Sequence, residues 1–434
     1  MKRSRTCSLL AFAAVALLAA HAHAGLVQME AGTISLPATT VGSTSFVTVN
    51  FQGDYSGGTP LVFVTPTDED DRPVDIRIRN VTSTGFDVVQ VEPPSEDGAH
   101  GAMTISYLAI EPGLTTLPNG MIIEAATHST TRVISKGGGG YDTVPLTGGF
   151  AAAPVVLAQI QTMANETATV PGAASTPWVT ATVRNIASGS VDLSLERAET
   201  GNGNVGTPEA IAYLAISAGA GDISIMDREG ARITLDPFLS PVNIRGWGDT
   251  GGAGNPSTFA TPFPSAPLVL ANPATRNGAD GGWIRTTTIN TTTVNLALDE
   301  DTNSDAERGH IDEGASVLAI EGAFVQTDDL PTATLRYSAR ADEAANNTWE
   351  DFDGVTGFDW GLASNARVTV DSNTTPGVTQ AYVFPNARGT MASLETLTGN
   401  PTNDDASFEL WFRPNNLVGA EQEVLFETGG NGDG

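Results

Sequence analysis

The chain has 434 residues, with 50 Asp and Glu against 21 Lys and Arg and a formal charge of −29. Such a surface repels phosphate backbones and excludes nucleic acid as a partner. The single cysteine, Cys7, sits in the N-terminal segment, so the rest of the chain has no disulfide, thiolate metal site or thiol nucleophile. That segment is the first element in chain order. Met1-Lys2-Arg3-Ser4-Arg5 is a positive n-region, Leu9 to Ala20 is apolar but too short to anchor in a bilayer, and Ala22 and Ala24 form an A-x-A cleavage pattern. Residues 1–24 therefore read as a signal peptide cleaved after Ala24, which makes the protein secreted, in the medium or at the cell surface. Cleavage removes three cations and no acid, taking the charge from −29 to −32 and leaving Lys136 as the last lysine. No other segment is apolar enough to serve as a transmembrane anchor.

Beyond residue 25 helical periodicity is nearly absent. Short alternating runs rich in Val, Ile, Thr and Phe are divided by Gly, Pro, Asn and Asp, the pattern of an all-β protein made of antiparallel β-sandwiches. Four blocks recur three times in one order. Pro60-Leu61-Val62-Phe63-Val64 returns at 154–158 and 267–271, and Val74 to Asn80 returns at 179–185 and, more loosely, at 284–290. Phe86 to Glu92 matches 191–196 and 294–299, and Ile105-Ser106-Tyr107-Leu108-Ala109-Ile110 matches 211–216 and 315–320. From the second-block Asn to the fourth-block Leu the spacing is 28, 29 and 28 residues. Three tandem sandwich units are expected, at 25–115, 116–222 and 223–328. In the second block Val74, Ile76 and Ile78 face one way and Asp75, Arg77 and Arg79 the other, which predicts a hairpin strand with one wet face. The fourth block is apolar on both faces and reads as a central, buried strand.

In these blocks the units resemble the H-type (snail-agglutinin) lectins, a family of six-stranded antiparallel sandwiches. Tyr107-Leu108-Ala109-Ile110 and Tyr213-Leu214-Ala215-Ile216 are similar to the family's last strand; the third unit has Val317 in place of the tyrosine. The resemblance implies glycan or cell-surface polysaccharide binding, of galactose-type sugars above all, and a homotrimer. It assigns the sugar contacts to Arg79 and Asn80, to Arg184 and Asn185, and to Trp178 and Trp283 as stacking rings. The same residues also fit purely local roles: Asn favours the hairpin turn, and a tryptophan at a strand start commonly packs.

After residue 328 the pattern changes. Ala406 to Pro414 followed by Glu423 to Gly429 resembles the front half of a laminin-G or concanavalin-like jelly roll, so 329–434 reads as an incomplete domain of a longer protein. No catalytic motif stands out, and the chain reads as no enzyme. One acidic loop offers oxygens at calcium-ligand spacing: Asp301, Asn303, Asp305, Glu307 and Asp312. It lacks the loop glycine and the bidentate Glu of a 12-residue calcium loop, and it also fits a solvated hairpin, as does Asp68-Glu69-Asp70-Asp71. The leading expectation is an adhesin-type binding protein. The rivals are a structural stalk of degenerate lectin units and the non-catalytic front part of a larger secreted enzyme.

Overall fold

The computed structural model describes residues 28–326 apart from 41–45, 95, 97, 118–119, 167–177, 200–204, 220–222 and 227–231. Further on it describes residues 348–349, 360–361, 367–369 and 380–382. The signal segment and the 406–430 motif lie outside the described residues. The chain divides into two compact units, Met1–Leu330 and Pro331–Gly434.

The first unit is almost entirely β, as the alternating runs predict. Its first third contains β1 (Met29–Leu36), β2 (Val47–Asn50), β3 (Leu61–Thr65), β4 (Asp75–Arg79), β5 (Gly85–Val91) and β6 (Met103–Ile110). A linking strand, β7 (Gly113–Thr116), leads to β8 (Ile122–Thr130), the short β9 (Val133–Ile134), β10 (Asp142–Pro145), β11 (Val155–Ile160), β12 (Thr180–Ala187), β13 (Ser190–Glu196) and β14 (Glu209–Ile216). A second link, β15 (Ile223–Met226), precedes β16 (Arg232–Leu239), a single helical turn α1 (Trp247–Thr250), β17 (Asn255–Thr258), β18 (Leu268–Pro273), β19 (Trp283–Ile289), β20 (Thr293–Asp299) and β21 (Ala315–Ile320). A third link is β22 (Phe324–Gln326).

Each third folds as a sandwich. The outer sheets are β2-β5-β4, β10-β13-β12 and β17-β20-β19; the inner ones are β22-β1-β6-β3, β7-β8-β14-β11 and β15-β16-β21-β18. The fourth-block strands β6, β14 and β21 are central in their sheets, where residues apolar on both faces belong. One face of each packs within its own sandwich. In the first, Val62, Val74, Ile76, Ile78, Phe86 and Ile105 fill the space between the sheets.

The other face builds a core that all three sandwiches share. At its centre Met29, Leu108 and Ile110 of the first sandwich meet Ile123, Leu214 and Ile216 of the second and Leu235, Leu318 and Ile320 of the third. In strand register these are the same three positions taken three times, so the tandem repeats surround a pseudo-threefold axis. Burying nine such side chains at about 1.5–3 kcal/mol each makes this axis a main source of stability.

The linking strands turn the three sandwiches into a ring. β7 pairs with β8 of the next sandwich, β15 with β16, and β22 with β1 of the first, in the register Met29↔Gln326, Glu30↔Val325 and Ala31↔Phe324. The inner edges of β3, β11 and β18 are protected by side chains from the neighbouring sandwich rather than by strands. Val269 N–H donates to Ser106 Oγ (3.3 Å) and Val156 N–H to Ser316 Oγ (3.2 Å). The third equivalent hydroxyl is missing because Ala212 occupies that position, and Gln161 replaces it: its Oε1 accepts from Val62 N–H (3.0 Å) and its Nε2 donates to Val62 O (2.8 Å). An unpaired sheet edge thus becomes a specific contact.

The expected wet face of the second block is wet only in part, with Asp75 and Arg79 half-buried. Arg77 is buried on β4, and Val89 and Val91 of β5 join Trp178 and Trp283 in a cluster that spans all three sandwiches. In the second unit, antiparallel pairs join residues 348–349 to 360–361 and 367–369 to 380–382.

Candidate functional site

Arg79-Asn80 closes β4 and Arg184-Asn185 sits at the bulge near the end of β12, both at hairpin tips with the asparagine exposed, and the two are built alike. Each Asn is in the left-handed region, φ 52° and 50°, where asparagine is tolerated because its short amide bonds locally. Asn80 Nδ2 donates to Asp87 Oδ2 (2.8 Å), and Asn185 Nδ2 to Asp192 Oδ2 (2.8 Å). Thr48 and Thr143 hydroxyls donate to the other oxygens of the same carboxylates, at 2.8 and 2.7 Å. Arg79 lies over Phe46 (3.5 Å to the ring centre) with Asp87 at 3.6 Å; Arg184 lies over Tyr141 (3.8 Å) with Asp192 at 3.5 Å. Partial burial works against the charge on Asp87, but the bonds from Asn80, Thr48 and Arg79 outweigh it and hold its carboxyl below the usual range. Each tip is a clamp of five side chains centred on the aspartate. The third sandwich departs from it: Ile289 replaces the arginine and Asn295 the aspartate, and Asn290 bonds within its own turn to Thr292 and Thr293.

Trp178 and Trp283, expected as stacking rings, are 2% and 4% exposed and pack on each other with ring centres 5.7 Å apart. Trp283 Nε1 donates to Val74 O of the first sandwich (2.7 Å), and the Arg77 guanidinium covers Trp178 at 4.1 Å. Their faces are taken by neighbouring sandwiches, so the stacking assignment is replaced by inter-sandwich packing.

The calcium-spaced residues do not converge either. Asp301 is buried and accepts from the N–H groups of Glu199 (3.0 Å) and Asn303 (3.2 Å). Asn303 Nδ2 donates to Glu199 O (3.5 Å), Asp305 pairs with Lys136 (3.6 Å) and Asp312 with Arg245 (3.1 Å). Among the described residues no group of three or more His, Cys, Asp or Glu is placed to hold a metal.

Sequence reasoning missed a set of buried arginines that clamp the sandwiches together. Arg77 of the first reaches Glu166 of the second (2.6 Å), whose other oxygen accepts from Val179 N–H. Arg276 of the third reaches Glu196 of the second (2.6 Å). Arg285 of the third is fully buried and reaches Asp68 of the first (2.8 Å), its own Asp299 (2.8 Å) and the carbonyls of Thr67, Asp70 and Arg72. Arg308 adds Asp299 and Asp71 O and lies over Trp247 at 3.9 Å; Trp247 in turn donates to Asp68. The 68–71 run, which fits a solvated loop by sequence, is therefore held between two arginines. The one available signal was scarcity: in so acidic a chain each arginine on a strand is a candidate clamp.

The clamps include and adjoin deeply buried carboxyls. Glu300 is 2% exposed, and its Oε1 faces His310 Nε2 at 3.5 Å. Burial, reinforced by Glu307, Asp280, Glu199 and Asp299, pushes its carboxyl up to about 9. Burial also pushes Glu196 up to about 7 against the pull of Arg276. Gly281, with φ +81°, lies so close to Glu196 that a Cβ there would stand 2.5 Å from the carboxyl carbon.

This architecture defines a class, a single-chain ring of three β-sandwiches built from one repeated unit. Over 317 residues the chain is 26% identical to Halomucin of Haloquadratum walsbyi (strain DSM 16790 / HBSQ001), a match that spans 67% of this chain and 3% of that protein. No protein-family profile matches the chain, and no solved structure does. Among the described residues no helix is long and apolar enough to cross a membrane.

Proposed function

We propose that the chain is a module of an extracellular surface protein, with the three-sandwich ring as a structural unit that spaces or presents neighbouring segments. The observation that carries this reading is how the aligned tryptophans and the buried arginines are used. Trp178 and Trp283 are consumed by packing, and Arg77, Arg276 and Arg285 by clamps between sandwiches. The signal segment and the similarity to a stretch of a far longer protein support the surface placement. Within this reading the ring stands as a degenerate, fused form of a lectin trimer: the antiparallel two-sheet sandwiches, the threefold packing and the Tyr-Leu-Ala-Ile strands of the first two units support that descent. The incomplete jelly roll at 329–434 is part of the same proposal.

A second reading, glycan binding, is favoured by one observation: the Arg-Asn-Asp-Thr-aromatic clamp recurs unchanged on two exposed tips. A galactose-type glycan array on the full chain, with Arg184→Ala as control, separates the two. The structural reading expects no saturable signal. A signal that Arg184→Ala abolishes would establish the binding reading in its place.

A further inference from the structure

Two of the three equivalent outer hairpins carry the acceptor motif for asparagine-linked glycosylation. Asn80-Val81-Thr82 lies between β4 and β5, and Asn290-Thr291-Thr292 between β19 and β20. The third tip, Asn185-Ile186-Ala187, lacks the hydroxyl residue two places on. The motif is short and proves nothing by itself, since it asks only for an exposed loop on an exported chain; the structure selects among its occurrences. Asn80 and Asn290 are both exposed. Asn290 carries the geometry that couples the hydroxyl to the amide: Thr292 Oγ1 donates to Asn290 Oδ1 at 2.9 Å, and Thr292 N–H donates to the same oxygen at 2.8 Å. This polarises the amide, and Nδ2 donates one of its hydrogens to Thr293 Oγ1 (2.8 Å). At Asn80, Nδ2 uses one hydrogen on Asp87 and keeps a second, so substitution there preserves the clamp. Asn165-Glu166-Thr167 has the motif but not the setting. Asn165 is tied through both amide atoms to Thr207 and Glu209, and its neighbour Glu166 is buried against Arg77. Asn346 and Asn373, which also fit the motif, lie outside the described residues.

We propose that Asn80 and Asn290 carry N-linked glycans, with Asn185 bare. The donor is an oligosaccharide linked through phosphate or diphosphate to a polyprenyl lipid. The asparagine Nδ2 attacks the anomeric carbon, a C–N bond forms, and the C–O bond to phosphate breaks. The lipid phosphate leaves with the bonding pair, and one amide proton passes to a carboxylate base of the transferase. The two glycans cover equivalent tips of the first and third sandwiches and leave the second tip, with Arg184 and Tyr141, uncovered. The proposal rests on export, so it shares the surface placement above but not the structural reading.

The test is peptide mapping of the full chain purified from its own source. Trypsin separates the three tips into residues 80–132, 185–197 and 286–308. Peptides 80–132 and 286–308 are expected to carry whole-sugar mass increments, and 185–197 none. Thr82→Ala and Thr292→Ala are each expected to abolish the increment on their own peptide only, and Thr→Ser at the same positions to restore it. Exported chain with bare Asn80 and Asn290, or with Asn185 modified equally, overturns the proposal. Chain recovered only from the cytoplasm overturns the export as well.

Discussion

Arg285→Met removes the central clamp between the third and first sandwiches while keeping most of the side-chain volume. Arg285 is wholly buried and makes five contacts, to two carboxylates and three carbonyls. Asp299 keeps Arg308 at 2.7 Å, but Asp68 loses the cation it is paired with and is left with the neutral Trp247 indole at 2.9 Å. The loss is therefore that of a broken buried pair, about 3–5 kcal/mol, with the carbonyls of Thr67 and Asp70 adding to it where water does not reach them. We expect about 4 kcal/mol. For a ring of roughly 300 residues at ~2.1 cal/mol/K of unfolding entropy per residue, that lowers Tm by about 6 °C. Urea unfolding followed by tryptophan fluorescence reports it, since Trp178 and Trp283 lie in the contact between sandwiches. In a double-mutant cycle with Asp68→Asn the two losses should be non-additive by more than about 1 kcal/mol. A loss below about 1 kcal/mol for Arg285→Met would refute the argument that this arginine holds the ring together.

Three further outcomes follow from the same structure. Glu300→Gln should stabilise the protein at alkaline pH. The folded carboxyl, pushed up to about 9 from 4.5, holds a proton that the unfolded chain has lost. Wild-type stability therefore falls as pH rises through that window, and the gap to the variant should open between pH 5 and 9 and close below; pH-independent melting differences would contradict this. Trp178→Ala should cost about 3–5 kcal/mol by leaving a cavity against Trp283 and uncovering Arg77, read from the urea midpoint. Gln161→Ala should cost about 1–3 kcal/mol by orphaning the Val62 amide, whereas the double variant Gln161→Ala with Ala212→Ser should recover part of that loss by restoring the hydroxyl present at Ser106 and Ser316.

The strands were legible because their side chains alternate. Val74, Ile76 and Ile78 mark β4, and Ile105 to Ile110 mark a central strand, without knowledge of neighbours. The fate of the opposite face was not legible. Arg77 and Asp75 read as wet, and a buried arginine bonded to Glu166 has the same letter as one in water. The alignment singles out the two tryptophans and leaves stacking and packing both open; only the ring arrangement, which brings Trp178 to Trp283, favours packing. The spacing from Asp301 to Asp312 satisfies a linear ligand pattern, yet Lys136 and Arg245 draw Asp305 and Asp312 to different places. β22 left no periodic trace: Phe324-Val325-Gln326 is too short to show one, and its meaning comes from a partner almost three hundred residues away.

The pairing of β22 with β1 fixes how the ring hangs in its polypeptide. The backbone arrives at Met29 and departs from Gln326, residues opposite each other across a two-strand ladder and about 5 Å apart. With cleavage after Ala24 the ring heads its chain, and a pull on the segment that follows it would load the Met29–Gln326 pair first and the remaining pairs one after another.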